Sequence, residues 1–447
     1  MKNTFTLQNP WRESGYTFPQ EVYIDRNAFK YLLKDLTSNE ITVVLGARQV
    51  GKTFLIKKLI EELLTSKKIE PKQIFYFNFD AFDLVDLITN VRDFLDFLKY
   101  YGVAGKRAYI FLDEAQRIPE IGLVIKGYYD LGLDLKFIIS GSSSLQIKSQ
   151  VKETLTGRKH LFELYPLSFE EFLRYRGLST TEELERIMRF ESVHYQECME
   201  EFVLFGGYPG VVKCGDSEEK IRLLSELYHS YVQKDISDFL KIEDVAGFNR
   251  LVQFTASQAG GLYKINEVAK NVRLSRHFVE RYLFSLEETY VVVLLRPYFV
   301  NLGKALIKTP KCYFCDTGTR NIVFGQFETL DKRSDTGLLV ENFIFSELIK
   351  SLDRDRIWFY RTTTGSEIDF LFIKGDQAIA VEVKYSIGRQ KTIPKIFRTR
   401  AMHTRLKKAI VITKDYMHET EQDDVCIVFR PAWSAYNLVN EFDAQYW

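Results

Sequence analysis

Ile41-Thr42-Val43-Val44-Leu45-Gly46-Ala47-Arg48-Gln49-Val50-Gly51-Lys52-Thr53 is the stretch on which the reading of this 447-residue chain turns. It opens with a short apolar, β-branched run of the kind a buried strand needs, and from Lys52 to Thr65 the apolar residues recur at helical spacing. Between strand and helix lies G-x-x-x-x-G-K-[ST], filled by Gly46, Ala47, Arg48, Gln49, Val50, Gly51, Lys52 and Thr53. In that setting the motif is a phosphate-binding loop. The glycines let backbone N–H groups curl around phosphate oxygens, and the start of the following helix adds partial positive charge. Lys52 is expected to reach the β- and γ-phosphates of ATP. Thr53 is expected to give its hydroxyl to Mg²⁺, in an octahedral shell completed by water and phosphate oxygens.

Working outward, further short strands are expected at Gln73 to Phe79, Arg107 to Leu112, Lys136 to Ser140 and His160 to Leu164. Amphipathic stretches such as Leu84 to Tyr100 lie between them, and the alternation is that of a doubly wound α/β fold with a parallel sheet. Ala108 to Leu112 ends in Asp113-Glu114, two carboxylates where a strand should emerge beside the phosphate loop. Asp113 is expected to hold the magnesium through a water. Glu114 is expected to polarise the water that attacks the γ-phosphorus. A kinase would need a site for an acceptor hydroxyl, and no signature of one is present. Ser140-Gly141-Ser142-Ser143-Ser144 ends the next strand. A Gly-Ser run there is most often a turn, but its sheet edge makes Ser140 or Ser142 a candidate to hydrogen-bond the γ-phosphate or the attacking water.

Beyond residue 167 the text changes to long mixed-charge helical segments, broken at Phe205-Gly206-Gly207-Tyr208-Pro209-Gly210, and reads as a helical lid over 168–250. Ile265 to Asn271 and Ser275 to Thr289 are two helical patterns across a tight turn, followed by apolar runs, which resembles a winged helix over 251–310. Ser275 should cap the second helix and present Arg276, His277, Glu280, Arg281 and Tyr282 near its start, the end that enters a groove of DNA. Strands return over 311–447. Asp369 lies on one, and Glu382 and Lys384, two apart on another, share a face. With Glu341 on the helix Leu338 to Leu348, they resemble the D…E-x-K core of the restriction-endonuclease-like superfamily, which implies a divalent metal on Asp369 and Glu382 and a water positioned by Lys384. Arg389, Lys391, Lys395, Arg398, Arg400, Arg405, Lys407 and Lys408 follow with no acidic residue between them, a place for a phosphate backbone or a solvated helix face. Cys312 and Cys315 form a lone C-x-x-C without the four ligands of a zinc site.

The phosphate loop, Leu112-Asp113-Glu114-Ala115-Gln116, Ser140-Gly141-Ser142-Ser143 and Leu155-Thr156-Gly157-Arg158 together resemble the archaeal-type AAA+ ATPases of bacteria and archaea. Pro166-Leu167-Ser168-Phe169-Glu170-Glu171-Phe172, Gly206-Gly207-Tyr208-Pro209 and the block from Glu341 to Lys384 resemble the same family's lid and its C-terminal domain of the DUF4143 type. The resemblance implies a P-loop AAA+ ATPase domain at 1–167, the lid, the winged helix and a restriction-endonuclease-like α/β domain at 311–447. It also implies that Arg158 is an arginine finger serving a neighbouring subunit, and hence a homo-oligomer, although an Arg there also suits a surface salt bridge.

Bulk composition bounds this reading. At 447 residues, 46% hydrophobic and 27% charged, the chain suits several well-buried soluble domains. A net charge of +1 leaves any attraction to nucleic acid to local patches. No apolar run approaches the ~20 residues that cross a bilayer, so no membrane role is expected. Five scattered cysteines and a polar N-terminal stretch suit the cytoplasm. The expected function is Mg-ATP hydrolysis that drives conformational change on nucleic acid, as a DNA motor or remodeller with DNA as the partner. The alternatives are an ATP-controlled switch binding a protein partner and an ATP-gated, metal-dependent nuclease.

Overall fold

The apolar run at Ile41 lies between two partners, and its near-continuous hydrophobicity follows from that position. In a computed structural model of the chain, the described residues are 2–19, 22–102, 105–142, 154–230, 244–299, 308–362, 365–374, 377–385, 397 and 406–442. They fall into two compact units, Met1–Tyr165 with Glu288–Tyr290, and Pro166–Glu287 with Val291–Trp447.

The first unit contains the helices α1 (Lys2–Gln8) and α2 (Asn27–Asp35), then β1 (Ile41–Gly46), α3 (Lys52–Thr65), β2 (Ile74–Asn78), α4 (Val91–Tyr101), β3 (Ala108–Asp113), α5 (Ile121–Asp130), β4 (Leu135–Ser142) and β5 (Lys159–Leu164). The five strands form a parallel sheet in the order β2-β3-β4-β1-β5. Parallel strands covered on both faces are buried throughout, and every residue of β1 is. Val43, Leu45, Phe75, Phe77, Ile110, Leu112, Phe137 and Ile139 join Phe94 and Tyr128 in one core.

The edge of this sheet is closed by side chains. Backbone groups of an edge strand must be satisfied, or they template pairing with another chain. Along β2, Gln8 donates to the carbonyl of Asn78 and accepts from its N–H. Asn9, fully buried, does the same for Tyr76 with both bonds at 2.8 Å, and Arg12 donates to the carbonyl of Ile74. The Arg12 guanidinium lies 4.3 Å from the centroid of the Phe75 ring, and burial pushes its pKa down to about 10.

The second unit begins with α6 (Phe169–Tyr175) and α7 (Ser192–Phe205). Ser168 and Glu171 make a reciprocal capping box at the start of α6, which accounts for the Leu167-Ser168-Phe169-Glu170-Glu171 run. Gly206 and Gly207 are required by close approach: a Cβ at Gly206 would stand 2.4 Å from the carboxylate of Asp316, and one at Gly207 would stand 2.3 Å from the carbonyl oxygen of Leu167.

Next come α8 (Val245–Ser257), α9 (Ile265–Val272), α10 (Arg276–Glu288), β6 (Val292–Leu295) and β7 (Lys311–Phe314). β6 and β7 pair with each other as an antiparallel ribbon. After α11 (Thr317–Phe324) and α12 (Thr336–Ser351) come β8 (Ile357–Arg361), β9 (Glu367–Lys374), β10 (Gln377–Val383), β11 (Leu406–Thr413), β12 (His418–Gln422) and β13 (Val425–Pro431). These last six form a mixed sheet in the order β12-β13-β11-β10-β9-β8, with β10, β11 and β13 parallel. The fold class is therefore mixed α/β in both units.

Candidate nucleotide site and a second carboxylate cluster

The phosphate loop is shaped by two local constraints. Gly46 ends β1 so close to β5 that a Cβ would stand 2.1 Å from the carbonyl oxygen of Leu164. Gln49 and Gly51 have φ of 60° and 96°, which bends the chain tightly. Gly51 gives α3 no side-chain cap, leaving the first amides of the helix to an anion. Arg26, which the sequence did not mark, braces the loop by donating at 2.7 Å both to the carbonyl of Val50 and to that of Tyr165.

Lys52 is buried, and its Nζ donates to the carbonyls of Gly46 at 3.0 Å and Ala47 at 2.7 Å. Burial pushes its pKa down to about 8, against the upward pull of Glu114 and Asp113. Neutral carbonyls are weak partners for a buried ammonium, so this lysine is held lightly and gains from an anionic ligand.

Asp113, fully buried at the end of β3, collects four donors. Its Oδ2 accepts from Thr53 Oγ1 at 2.7 Å and from the Tyr76 hydroxyl at 2.9 Å. Its Oδ1 accepts from the Glu114 amide at 3.1 Å and from the Ser140 hydroxyl. Loop, β2, β3 and β4 thus converge on one carboxylate. Tyr76 was legible only as a strand residue, although a phenol on a fully buried strand has to find a polar partner. Glu114 takes a left-handed φ of 53°, a conformation uncommon for a non-glycine residue and frequent at functional sites, and its carboxylate accepts from Gln116. Lys52, Thr53 and Glu114 line a cleft of about 1740 Å³, whose wall includes Trp11, Tyr23 and Phe54. Tyr23 and Phe54 are stacked with centroids 5.6 Å apart.

The other two expected contributors lie toward opposite ends of the strands. The Ser140 hydroxyl faces Asp113, while the side chain of Ser142, and Ser143 and Ser144 altogether, lie outside the described residues. Arg158 precedes β5 and accepts at its carbonyl from the N–H of Ile41, so it sits at the opposite end of the strands from Gly46. At ~3.3 Å per residue, strand β1 separates it from its own phosphate loop by roughly 17 Å. Its Nε pairs with Asp130 at 3.2 Å.

In the second unit Glu341, Asp369, Glu382 and Lys384 do come together, and a further residue is among them. Lys311, from β7, places Nζ 3.0 Å from Glu341 Oε1, 2.6 Å from Glu367 Oε1 and 3.4 Å from Asp369 Oδ1. Tyr313 donates to Glu341 at 2.6 Å, and Lys384 donates to Glu382 at 2.5 Å. Burial first, then Asp369, pushes the pKa of both Glu341 and Glu382 up to about 7. Burial opposes the charge on Lys311, but Glu341, Asp369 and Glu367 together outweigh it and raise its pKa.

On α10, Ser275 accepts from the amide of Phe278, and Arg276, His277, Glu280 and Arg281 are exposed. Tyr282, expected beside them, is instead buried, because Val279, Tyr282, Leu283 and Leu286 form the inward stripe of the helix. Arg276 pairs with Glu280 at 2.8 Å. Of the basic stretch, Lys407 and Lys408 alone are described, and Lys408 pairs with Glu441 at 2.7 Å. Cys312 and Cys315 are buried free thiols.

Three family models match successive parts of the chain. Residues 38–173 match the AAA domain, 196–330 a domain of unknown function (DUF8612), and 336–433 a second domain of unknown function (DUF4143). An uncharacterized protein of Haemophilus influenzae is 24% identical over 417 residues, spanning 91% of this chain and 97% of the relative. An uncharacterized protein of Methanocaldococcus jannaschii is 25% identical over 361 residues, spanning 79% and 76% respectively. Among solved structures, a Walker-type ATPase of Pyrococcus abyssi aligns with 70% of this chain and 99% of its own at 14% identity, with a TM-score of 0.41.

Proposed function

We propose that this chain, which carries an AAA domain at residues 38–173 and a DUF4143 domain at 336–433, hydrolyses Mg-ATP and uses the cycle to change conformation on nucleic acid. The observation that supports hydrolysis most is the convergence of Thr53, Tyr76, Ser140 and the Glu114 amide on Asp113. The donor set fits Mg²⁺, since a hydroxyl and a carboxylate already in contact at 2.7 Å are hard oxygen ligands. Bound there, the ion would neutralise charge building on the phosphate oxygens.

The chain's own residues do the rest. Lys52 leaves the carbonyls of Gly46 and Ala47 for the β- and γ-phosphates, a stronger partner for a buried ammonium. Thr53, whose hydroxyl now donates to Asp113, would help to hold the ion with that carboxylate. Tyr76 and Ser140 keep Asp113 in place. Glu114, at the strand tip, takes the proton of the attacking water. Arg158, remote from its own loop, serves the γ-phosphate of a neighbouring copy once freed from Asp130.

Support for nucleic acid comes from exposed basic side chains at the end of α9, Arg273, and over the first turns of α10, Arg276, His277 and Arg281. A specific observation also favours a protein partner: Arg276 is paired with Glu280, and Phe284 on the same helix is 53% exposed. One assay separates the readings. ATP turnover is expected to rise with duplex, single-stranded or branched DNA, and to vanish in Lys52→Ala and Glu114→Gln. Turnover indifferent to every DNA form, with no binding at low salt, points to the protein-partner switch.

A further inference from the structure

We propose that Lys311 is the built-in cation of the C-terminal carboxylate cluster, engaging Asp369, one of the two carboxylates with which a nuclease of this strand pattern would hold its divalent metal. An ammonium has three N–H donors and no acceptor. Nζ of Lys311 has three carboxylates around it, Glu341, Glu367 and Asp369, at 3.0, 2.6 and 3.4 Å. A divalent ion bridging Glu341 and Asp369 at the ~2.0–2.6 Å of metal–oxygen bonds would lie within a few ångströms of this ammonium, on oxygens it already engages. Two cations that close repel each other.

The pair required by the D…E-x-K reading is engaged as well. Asp369 Oδ1 faces Lys311, and its Oδ2 accepts from the Val383 amide at 2.9 Å. Glu382 Oε1 accepts from Lys384 at 2.5 Å, and its Oε2 accepts from the Asp369 amide at 3.3 Å. The lysine meant to steer a water is therefore bound to the carboxylate meant to hold the ion. Arg361 closes the outer side of the cluster by pairing with Glu367 at 3.2 Å. Glu341, Glu367, Asp369 and Glu382 thus meet the cationic heads of Lys311, Lys384 and Arg361, nearly balancing charge without a metal. The roof is also close: a Cβ at Gly260 would stand 3.4 Å from Glu341 Oε1.

The residues present do not fit a metal as they stand, and the reason lies in the β6–β7 ribbon. Lys311 is a strand residue paired with Leu295, so its ammonium is delivered from outside the six-stranded sheet. The cluster therefore works as a socket for the ribbon's lysine, and a catalytic ion is excluded for as long as the lysine is seated. The inference is independent of ATP hydrolysis, because every group in it lies in the second unit.

The test titrates the full nucleotide-free chain with Mn²⁺ and reads free ion by its paramagnetic resonance. Wild type and Asp369→Asn are expected to bind the same amount. Lys311→Met is expected to gain one Mn²⁺, lost again in Lys311→Met/Asp369→Asn, whereas Lys311→Arg gains none. A wild-type Mn²⁺ lost on Asp369→Asn overturns the proposal. So does a folded Lys311→Met that gains nothing. Should Lys311→Met fail to fold, the wild-type and Asp369→Asn titrations decide alone. DNA incubated with Mg²⁺ or Mn²⁺ is expected to stay intact with wild type, and nicking abolished by Asp369→Asn overturns the proposal equally.

Discussion

The two carboxylate clusters of this protein use the same ingredients to opposite ends. Each sets acidic side chains near a strand end and brings a buried lysine to them from another element. At the phosphate loop, Lys52 is parked on two neutral carbonyls and its pKa is pushed down to about 8. In the C-terminal sheet, Lys311 is gripped by three carboxylates and its pKa is raised. The first lysine is under-satisfied and so available to a ligand. The second is satisfied from within, and its site is closed. Identical residue types therefore say little about binding until the partners of the cation are known.

The comparison breaks most visibly at Lys311. Removing one partner of a buried ion cluster strands the others, at a cost of ~3–5 kcal/mol. Lys311→Met should lower the stability of the second unit by that order in denaturant melts and recover it in part with added Mn²⁺. Lys52→Met, which relieves an unfavourably buried charge, should not destabilise the first unit. An equal loss from both substitutions would erase the contrast.

A smaller effect is expected at Tyr76, whose hydroxyl holds Asp113 at 2.9 Å. A hydrogen bond to a charged group contributes ~1.5–3 kcal/mol. Tyr76→Phe should raise the Mg²⁺ concentration needed for half-maximal turnover by roughly tenfold, with less change in the maximal rate. An unchanged Mg²⁺ requirement would show that Ser140 suffices to hold Asp113.

The smallest effect is the pH dependence, and its sign differs between the clusters. The Lys52 pKa is depressed by burial, so the unfolded chain binds more protons between about 8 and the ordinary lysine value, and the empty first unit gains stability as pH rises through that window. Nucleotide restores the proton, so ATP affinity should fall above pH ~8, by at most ~10-fold per unit. Calorimetry in buffers of different ionisation enthalpy reads the proton uptake directly. Glu341 and Glu382 are raised to about 7, so their contribution is fully present below the ordinary glutamate range and is lost as pH rises through 7. The second unit should therefore melt higher at pH 5.5 than at pH 8, the reverse of the first unit's trend.

What the sequence made legible was local. Gly46 to Thr53 carries its own geometry, and Asp113-Glu114 is fixed by the strand that ends there, so the core of the nucleotide site could be read without a structure. Most strand positions followed from apolar runs. β12, His418–Gln422, is not announced by any apolar run, because a polar, largely exposed edge strand has no apolar alternation to betray it. The misses at the sites are long-range. Asn9 meets Tyr76 across 67 positions, and Lys311 meets Asp369 across 58. No spacing rule connects such residues, and Lys311 in Lys311-Cys312-Tyr313-Phe314 reads as the ordinary polar start of a strand. Arg158 and Tyr282 show the converse, since a motif named them but the fold decides which way each faces.

Retention of labelled ATP by the purified full-length chain, with and without Mg²⁺, tests the central claim most directly. The wild type should hold nucleotide and hold it more tightly with Mg²⁺, while Lys52→Ala should lose ~10-fold or more in affinity, as befits a charge-assisted contact to phosphate. A wild-type chain that retains no labelled nucleotide when magnesium is supplied would contradict the account.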